Sequence, residues 1–278
     1  MKRIGMVMLV LLLAGNCFAA TGLANGPKTL DGQTFRWADD EDYRPFIYRD
    51  DDGEIRGIFK ELMVEIFARI KVPLTCNVYA WQRTQKYVEN GLADGMVTVL
   101  TKERARIFTA TDPLLTAREV IFTSRDNPRF AEIQAITSLQ QFKGFKVIDY
   151  VGAGWAREHF KGLDVIWAPK YKNVLLMLAA NRADIFLADK LPGYQSIQSL
   201  IRQEPVFADR LKKLVACSHP ISTISFSLLV RKDSKWVNII GRVNRTLTEM
   251  KADGTYDRIV KKYQSPTPEE NQERAAHP

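Results

Sequence analysis

Short apolar segments with the character of β-strands alternate with segments of helical periodicity along most of this chain. Residues 58–70 carry apolar side chains at helical spacing, and residues 72–79 then read as a strand. The predicted strands are residues 34–38, 72–79, 96–100, 119–123, 145–150, 165–167, 184–188 and 224–230, and the predicted helices are residues 58–70, 84–90, 155–160, 173–181 and 234–250. Strands separated by helices predict a parallel sheet covered by helices rather than a β-sandwich. The pattern occurs twice, which predicts two α/β units.

The segment from Lys251 to Tyr263 predicts a helical hairpin, with a turn at Gly254 followed by a short amphipathic helix. Ile259 and Val260 lie on the apolar side of that helix. A pair this short cannot bury its own apolar face, so we expect it to dock on a larger core. Residues 265–278 follow, and their proline and glutamate content predicts a disordered tail.

The first 19 residues predict export from the cytoplasm. They begin with two basic residues, continue with an apolar run too short to span a bilayer, and end in small residues near Ala19. This order of segments favours a cleaved signal peptide that spans residues 1–19. Lipidation of Cys17 is the alternative, although Asn16 is a poor match to the small residue that a lipidation motif places before its cysteine.

Charge and cysteine content exclude several classes of partner. The formal net charge is +8, but the basic residues are scattered and form no block with interleaved aromatics, so we expect no nucleic-acid partner. Cys76 and Cys217 are far apart in sequence, and free thiols are favoured over a disulfide that export would permit. Neither the cysteines nor the isolated histidines follow a metal-binding spacing, so we expect no metal and no cofactor.

Six short motifs occur in order between about Thr34 and Tyr263. They are Tyr43-x-Pro45-Phe46, Asp52-Gly53-x-x-x-Gly57, Trp81 with Gly91-x-x-Asp94, Thr101-x-x-Arg104 followed by Asp112-Pro113, Arg182-x-Asp184 with Asp189, and Ala252-Asp253-Gly254-Thr255-Tyr256. With these motifs the chain resembles the bacterial extracellular solute-binding proteins of family 3. Each motif alone is weak, and the resemblance rests on their order and spacing.

The resemblance implies a two-lobed α/β fold of the periplasmic-binding-protein type (type II), in which each lobe is a mixed sheet flanked by helices. Two hinge crossings, near residues 116–118 and 221–224, would join the lobes. Lobe 1 would combine residues 30–117 with 223–264, and lobe 2 would be residues 118–222. A ligand would be trapped in the cleft between the lobes as the hinge closes.

An amino acid presents a carboxylate, an ammonium group and a side chain, and the resemblance assigns residues to each. Arg104 is the expected carboxylate clamp, because a guanidinium offers two parallel donors. Asp189 is the expected ammonium site, with a helix N-cap as the alternative. We favour the ligand role because Leu191-Pro192-Gly193 argues against a long helix directly after it.

Aromatic and acidic residues complete the expected pocket. Tyr43 and Trp81 would form its walls, stacking on either side of the ligand. Asp40 would meet a cationic ligand side chain, although a merely solvated acidic loop over residues 39–42 is the alternative.

Some positions depart from the family pattern. The loop between Asp94 and Arg104 is short, so Thr98 or Thr101 would have to supply the hydroxyls that usually help to hold a carboxylate. Gly152 begins a Gly-Ala-Gly segment where a glycine followed by threonines is common, and its backbone N–H groups are candidate anion donors. Arg83 adds a second cation near the cleft. These departures leave room for another small, even anionic, solute.

The resemblance therefore predicts a monomeric periplasmic protein, not an enzyme, that captures an amino acid or related small polar solute for an ABC-type membrane importer. A soluble module that reports ligand occupancy to a membrane sensor is the first alternative. A dehydratase-like enzyme on the same fold is the second, and it would need a positioned acid or base in the cleft.

Overall fold

The computed structural model describes residues 32–263. The predicted signal peptide and the predicted tail lie outside the described residues. The strands are β1 Phe35–Asp40, β2 Asp42–Tyr43, β3 Ile47–Arg49, β4 Ile55–Arg56, β5 Leu74–Tyr79, β6 Gly95–Thr98, β7 Phe108–Ala110, β8 Leu115–Ser124, β9 Lys146–Tyr150, β10 Asp164–Ala168, β11 Phe186–Asp189 and β12 Leu214–Arg231. The α-helices are α1 Ile58–Arg69, α2 Trp81–Glu89, α3 Phe130–Gln134, α4 Gly154–His159, α5 Tyr171–Ala179, α6 Lys190–Gln203, α7 Ala208–Leu211, α8 Ile240–Ala252 and α9 Thr255–Lys262. Short 3₁₀ turns span Arg104–Arg106, Leu139–Phe142, Pro205–Phe207 and Lys235–Ile239. None of the helices in this range is long and apolar enough to cross a membrane.

One mixed sheet runs through the molecule in the order β11-β8-β12-β6-β1-β5, with β7 also paired to β12. Strand β1 is parallel to both β5 and β6, as the alternation of strands and helices predicts. Strand β12 is antiparallel to β6, β7 and β8, which makes the sheet mixed. The parallel pair β9–β10 joins this sheet through a bridge between Val147 and Ile185.

Buried side chains form separate cores on the two sides of the molecule. The largest core draws on β1, α1 and the C-terminal helices, and includes Phe35, Trp37, Leu62 and Trp236. Two other clusters, one around Phe122 and one around Phe142, draw only on residues between 120 and 217. We name the first side lobe 1 (residues 32–117 and 223–263) and the second lobe 2 (residues 118–222), and these boundaries remain a prediction.

Strands β8 and β12 carry the chain between the lobes. They pair with each other across the predicted hinges, with Arg118 opposite Thr223 and Ala117 opposite Ile224. Strand β12 spans 18 residues, far more than the predicted 224–230, because it continues through the crossing into lobe 2. The pairing register shifts on either side of Pro220, so the ribbon is irregular where it enters lobe 2.

The C-terminal hairpin docks on helix α1, as its unpartnered apolar face predicts. Ile259 is buried in the lobe 1 core. At the edge of the contact, Arg69 pairs with Asp253 at 2.7 Å, and Lys262 pairs with Glu61 at 2.7 Å. Lobe 1 is therefore completed by the last helices of the chain.

The two described cysteines form no disulfide. Cys76 lies half-buried on β5 in lobe 1, and Cys217 lies buried on β12 in lobe 2. They therefore belong to different cores.

Candidate functional site

A cavity of about 80 Å³ lies where the two lobes face each other, and we call it the inner cavity. One water needs roughly 10–15 Å³ of such space, so this cavity suits a small solute. Its lining residues are Asp39, Asp40, Tyr43, Trp81, Val97, Thr98, Val99, Arg104, Glu119, Asp149, Tyr150, Gly152, Ala153, Gly154, Trp155, Ala156, Tyr171, Phe186, Leu187, Ala188, Asp189, Pro192, Ile224 and Phe226. Seven of the nine residues predicted to bind ligand lie in this lining: Asp40, Tyr43, Trp81, Thr98, Arg104, Gly152 and Asp189.

A larger space of about 660 Å³, which we call the outer cleft, adjoins the inner cavity. The two share a wall made of Asp40, Tyr43, Trp81, Tyr150 and Tyr171. Arg83 lines the outer cleft and not the inner cavity. Its guanidinium lies 4.9 Å from the ring centroids of both Tyr79 and Tyr87, and it donates to the Tyr87 hydroxyl, so this exposed cation lies in the outer cleft.

Arg104 is buried, with 7% of its surface exposed, so it is not a solvated surface arginine. Its Nη1 donates to Thr98 Oγ1 at 3.0 Å and to the Val99 carbonyl at 2.9 Å. Its Nη2 donates to Gln85 Oε1 at 2.8 Å and to the Gly152 carbonyl at 3.4 Å. Burial lowers the pKa of this guanidinium from its usual value.

The two predicted threonines support Arg104 in different ways. Thr98, at the end of β6, accepts from the guanidinium and lines the inner cavity. Thr101 is buried outside that lining, and its Oγ1 accepts from the Arg104 backbone N–H at 3.2 Å. Thr101 therefore stabilises the backbone turn at Arg104, whereas Thr98 stabilises the Arg104 guanidinium.

Gly152 and Gly154 let lobe 2 approach lobe 1 closely. A Cβ at Gly152, where φ is +100°, would lie 2.8 Å from Trp81 Cδ1, and a Cβ at Gly154 would lie 3.1 Å from the Arg104 guanidinium carbon. The Gly152 carbonyl accepts from Trp81 Nε1 at 2.9 Å. Gly152 therefore acts here through its carbonyl, as an acceptor, and helix α4 has only six residues.

Aromatic rings form part of the wall, as the motifs predict. Trp81 begins helix α2, and the Arg104 guanidinium carbon lies 5.4 Å from its ring centroid. The Tyr43 ring lies 6.2 Å from that of Tyr171, which comes from lobe 2. The walls thus come from both lobes.

Residues 39–42 are not uniformly solvated, because burial falls from Asp39, which is buried, to Asp42, which is exposed. Strand β1 extends to Asp40, and Asp39 is only 2% exposed. The Asp39 carboxylate accepts from Trp37 Nε1 at 2.9 Å, from the Val97 N–H at 3.1 Å and from the Asp40 N–H at 2.8 Å. Burial raises its pKa to about 7, against the effect of those hydrogen bonds. The solvated interpretation is therefore wrong for Asp39.

Asp189 caps a long helix, contrary to the prediction. Helix α6 runs for 14 residues directly after it, and Asp189 Oδ1 accepts from the Leu191 N–H at 3.0 Å. Pro192 is tolerated because the N–H groups of a first helical turn have no partner within the helix. The carboxylate still lines the inner cavity, so capping does not remove it from the site.

Besides Asp39, two buried carboxylates and two tyrosines in the lining were missed by sequence reasoning. Glu119 is 8% exposed and Asp149 is 6% exposed, while Tyr150 and Tyr171 are half-buried. Burial raises the pKa of Glu119 to about 7 and raises that of Asp149 well above its usual value. The available signal was an acidic residue inside an otherwise apolar strand, as in Lys146-Val147-Ile148-Asp149-Tyr150.

Among residues 32–263, no group of three His, Cys, Asp or Glu side chains is placed to hold a metal ion. The polar groups of the inner cavity are carboxyl, hydroxyl, guanidinium and backbone groups. Such a set can bind a small organic solute through charge and hydrogen bonds.

Comparison with protein families gives one match over most of the chain. The model described as bacterial extracellular solute-binding proteins, family 3, matches residues 35–266. The lysine/arginine/ornithine-binding periplasmic protein of Escherichia coli (strain K12) is 23% identical over 265 residues, which cover 92% of this chain and 95% of that protein. The L-cystine-binding protein TcyA of Bacillus subtilis (strain 168) is 24% identical over 226 residues, which cover 80% of this chain and 77% of that protein.

Solved structures share the fold. A histidine kinase sensor domain with similarity to periplasmic binding proteins superposes with a TM-score of 0.69 and 23% sequence identity. The match covers 84% of this chain and 96% of the sensor domain. At this identity the likeness concerns the fold alone.

Proposed function

The chain belongs to family 3 of the bacterial extracellular solute-binding proteins, with the predicted fold, and on that premise we propose that it captures a small polar solute between its lobes. The solute is an amino acid or a related compound, and the site is the inner cavity. One observation supports this most strongly: charged and aromatic side chains from both lobes converge on a single small cavity. A ligand there touches both lobes at once, which is the condition for ligand-driven closure.

The proposed setting is the periplasm, where the protein delivers its ligand to a membrane importer. The periplasmic relatives support this location. A sensor role is the second candidate, because a sensor domain shares the fold. Uptake of labelled ligand by a strain lacking the gene distinguishes the two, since only an importer partner requires the protein for uptake.

Binding, and not catalysis, is the proposed activity. Carboxyl groups with a pKa near 7, such as those of Asp39 and Glu119, are also suited to general acid–base chemistry. Incubating the protein with any bound ligand and finding the ligand unchanged by mass spectrometry supports binding alone. Conversion of the ligand would support the enzymatic alternative.

The test of solute capture is a thermal-shift and calorimetric screen against amino acids, polyamines and small organic acids. A ligand at a hundredfold excess over its Kd stabilises the folded state by about 2.7 kcal/mol and raises Tm. Arg104→Lys should lower the affinity for a ligand that carries a carboxylate at least tenfold, because a lysine cannot make the paired contacts of the guanidinium. Arg106→Lys is the matched control, since Arg106 is an exposed residue of the same turn.

Two results would contradict the proposal. One is a screen in which no solute of these classes raises Tm. The other is equal affinity in Arg104→Lys and Arg106→Lys for a ligand that carries a carboxylate, which would place the binding site elsewhere.

A further inference from the structure

A separate cavity of about 20 Å³, which we call the small cavity, also lies between the lobes. Lobe 1 contributes Asp42 and Arg44, from strand β2 and the turn after it, and lobe 2 contributes helices α5 and α6. The small cavity shares only Tyr171 with the lining of the inner cavity. One water needs roughly 10–15 Å³ of such space, so a single water or a single small ion fits there.

Arg44 brings a buried donor without a partner to this cavity. Within residues 32–263, three buried side-chain polar atoms lack a hydrogen-bond partner, and Arg44 Nε is the one that belongs to a charged group. The Arg44 guanidinium carbon lies 3.9 Å from the ring centroid of Tyr48, and Nη2 donates to the Arg49 carbonyl at 3.3 Å and to Asp50 Oδ1 at 3.4 Å. The side chain is only 17% exposed. A buried donor is normally satisfied, so an acceptor is expected beside Nε.

Lobe 2 brings further donors to the small cavity. Ser199 is 8% exposed, and its Oγ accepts from Gln203 Nε2 at 3.4 Å, so its own O–H can be donated to another acceptor. Lys172 adds an ammonium group, and its contact with Glu204 Oε1 is long, at 3.8 Å. Donors from both lobes therefore surround one small space.

Positive charge exceeds negative charge in the lining. Arg44 and Lys172 are its cations, and Asp42 is its one carboxylate. Within residues 32–263, Asp42 forms no ion pair with either of them. A water molecule would satisfy Arg44 Nε but would leave the excess positive charge uncompensated. An anion supplies both the acceptor and the charge, through charge-assisted hydrogen bonds.

We propose that the small cavity binds a monovalent anion of the size of chloride, between Arg44 of lobe 1 and Ser199 and Lys172 of lobe 2. The space is too small for sulfate, phosphate or an organic carboxylate. Because its donors come from both lobes, the site is complete only when the lobes are together. The anion is therefore a second ligand of the closed form, and it raises the affinity for the solute in the inner cavity. Only this coupling, and not the anion site itself, rests on the proposed solute capture.

The first test locates the ion. Crystals of the protein grown in sodium bromide should show an anomalous-difference peak between Arg44 Nε and Ser199 Oγ. The peak should be lost in Arg44→Gln and weakened in Ser199→Ala. Bromide peaks elsewhere on the molecule and none in the small cavity would mean an adventitious ion only, and would overturn the proposal.

The second test measures stability in solution. Replacing sodium gluconate with sodium chloride or bromide at constant ionic strength should raise Tm in a saturable way, because gluconate is too large for the cavity. The rise should be lost in Arg44→Gln and reduced in Ser199→Ala. Ser227→Ala is the matched control, because Ser227 is a buried serine that does not line the small cavity. Ser199→Ala removes a single oxygen, so it keeps the test decisive if Arg44→Gln does not fold.

The third test measures the coupling. At saturating chloride, the affinity for a solute that binds the wild type should rise about fivefold or more over its value in gluconate. Ser227→Ala should keep this rise and Arg44→Gln should lose it.

The anion site is overturned if chloride and gluconate give the same Tm, or if the halide effect is equal in Ser199→Ala, Arg44→Gln and Ser227→Ala. A halide effect on Tm without one on solute affinity overturns the coupling. If no solute binds, the proposed function fails, and the bromide peak and the Tm series still decide the anion site.

Discussion

Asp39 and Asp40 are adjacent in sequence, yet their carboxylates have different surroundings. The Asp39 carboxylate also lines the inner cavity, but an indole and two backbone N–H groups of lobe 1 saturate it. Asp40 lines both the inner cavity and the outer cleft. Successive residues of a strand point to opposite faces, and of the two only Asp40 also reaches the outer cleft. Asp39 is thus a structural group, and Asp40 is the one available to a ligand.

At the scale of these single residues we predict a pH dependence of ligand binding. Burial raises the pKa of Asp40 and of Glu119 to about 7, so both carry protons below that pH. A cationic ligand favours the ionised carboxylates and lowers their pKa, so its binding releases protons. Affinity should therefore rise with pH, by up to about tenfold per pH unit for each proton released, and level off above about pH 7.

Titration calorimetry between pH 5 and 8 (about the range in which these groups ionise), in buffers of different ionisation enthalpy, measures both affinity and proton release. Several other titratable or charged groups face these carboxylates: Asp39, Asp149, Asp189, Tyr43, Tyr150, Tyr171 and Arg104 in the inner cavity, and Glu41 and Asp42 beside Asp40 in the outer cleft. Glu119→Gln should reduce the proton release. An affinity that falls as pH rises toward 7 would contradict this account.

Helix α6 begins at the wall of the inner cavity. Its N-cap is Asp189, and Gly193 in its first turn packs so closely on Phe122 that a Cβ would lie 2.2 Å from the ring. Two features argued against a helix here, and of these the proline is tolerated in the first turn, while the glycine lets that turn fit against the sheet. The helix therefore places the Asp189 carboxylate at the cavity wall.

At the scale of this element, substitutions of Asp189 separate capping from ligand binding. Asp189→Ser keeps a capping oxygen, so Asp189→Ala should be about 1 kcal/mol less stable than Asp189→Ser in urea unfolding. Both variants lose the carboxylate, so both should bind ligand at least tenfold more weakly. Ser234→Ala is the control, because Ser234 caps a turn outside the inner cavity by accepting from the Trp236 N–H at 3.2 Å. Full ligand affinity in Asp189→Ser would leave Asp189 with a capping role only.

At the scale of the whole molecule, direct contacts join the two lobes. Trp81 of lobe 1 bonds the Gly152 carbonyl of lobe 2, and Glu158 of lobe 2 accepts from the Lys102 N–H at 3.1 Å. Gln195 Nε2 donates to the Tyr263 carbonyl at 3.1 Å. Only the β8–β12 ribbon is continuous between the lobes, so these contacts are the ones that hinge opening would break.

At the scale of the molecule, Gly152→Ala should obstruct this closure. The new Cβ would meet Trp81 and Gln85, at 2.8 and 2.9 Å, so we expect at least tenfold weaker ligand binding. In small-angle X-ray scattering, the ligand-induced decrease in radius of gyration should be smaller than in the wild type. Gly162→Ala is the matched control, since Gly162 also has a positive φ, of 82°, but its Cβ would meet nothing within 4 Å. Equal compaction and affinity in the two variants would exclude Gly152 as a closure contact.

The sequence by itself determined the local elements and the motif residues. Helix α1 and strand β5 agree with prediction to within two residues at each end, because apolar periodicity is a property of neighbouring residues. The motifs identified Arg104 and Trp81, which the structure brings to one cavity. The family and its two-lobed fold followed from the order of those motifs.

Only the tertiary structure decided which charges meet. Glu119 and Asp149 lie 30 residues apart on different strands, and each reads as a polar exception within an apolar segment until the sheet brings both beside Asp189. Strand β12 is long because its partner β8 crosses the same hinge, a pairing between segments about a hundred residues apart. The physical reason is that burial and like-charge proximity depend on contacts distant in sequence, whereas periodicity and turn chemistry are local.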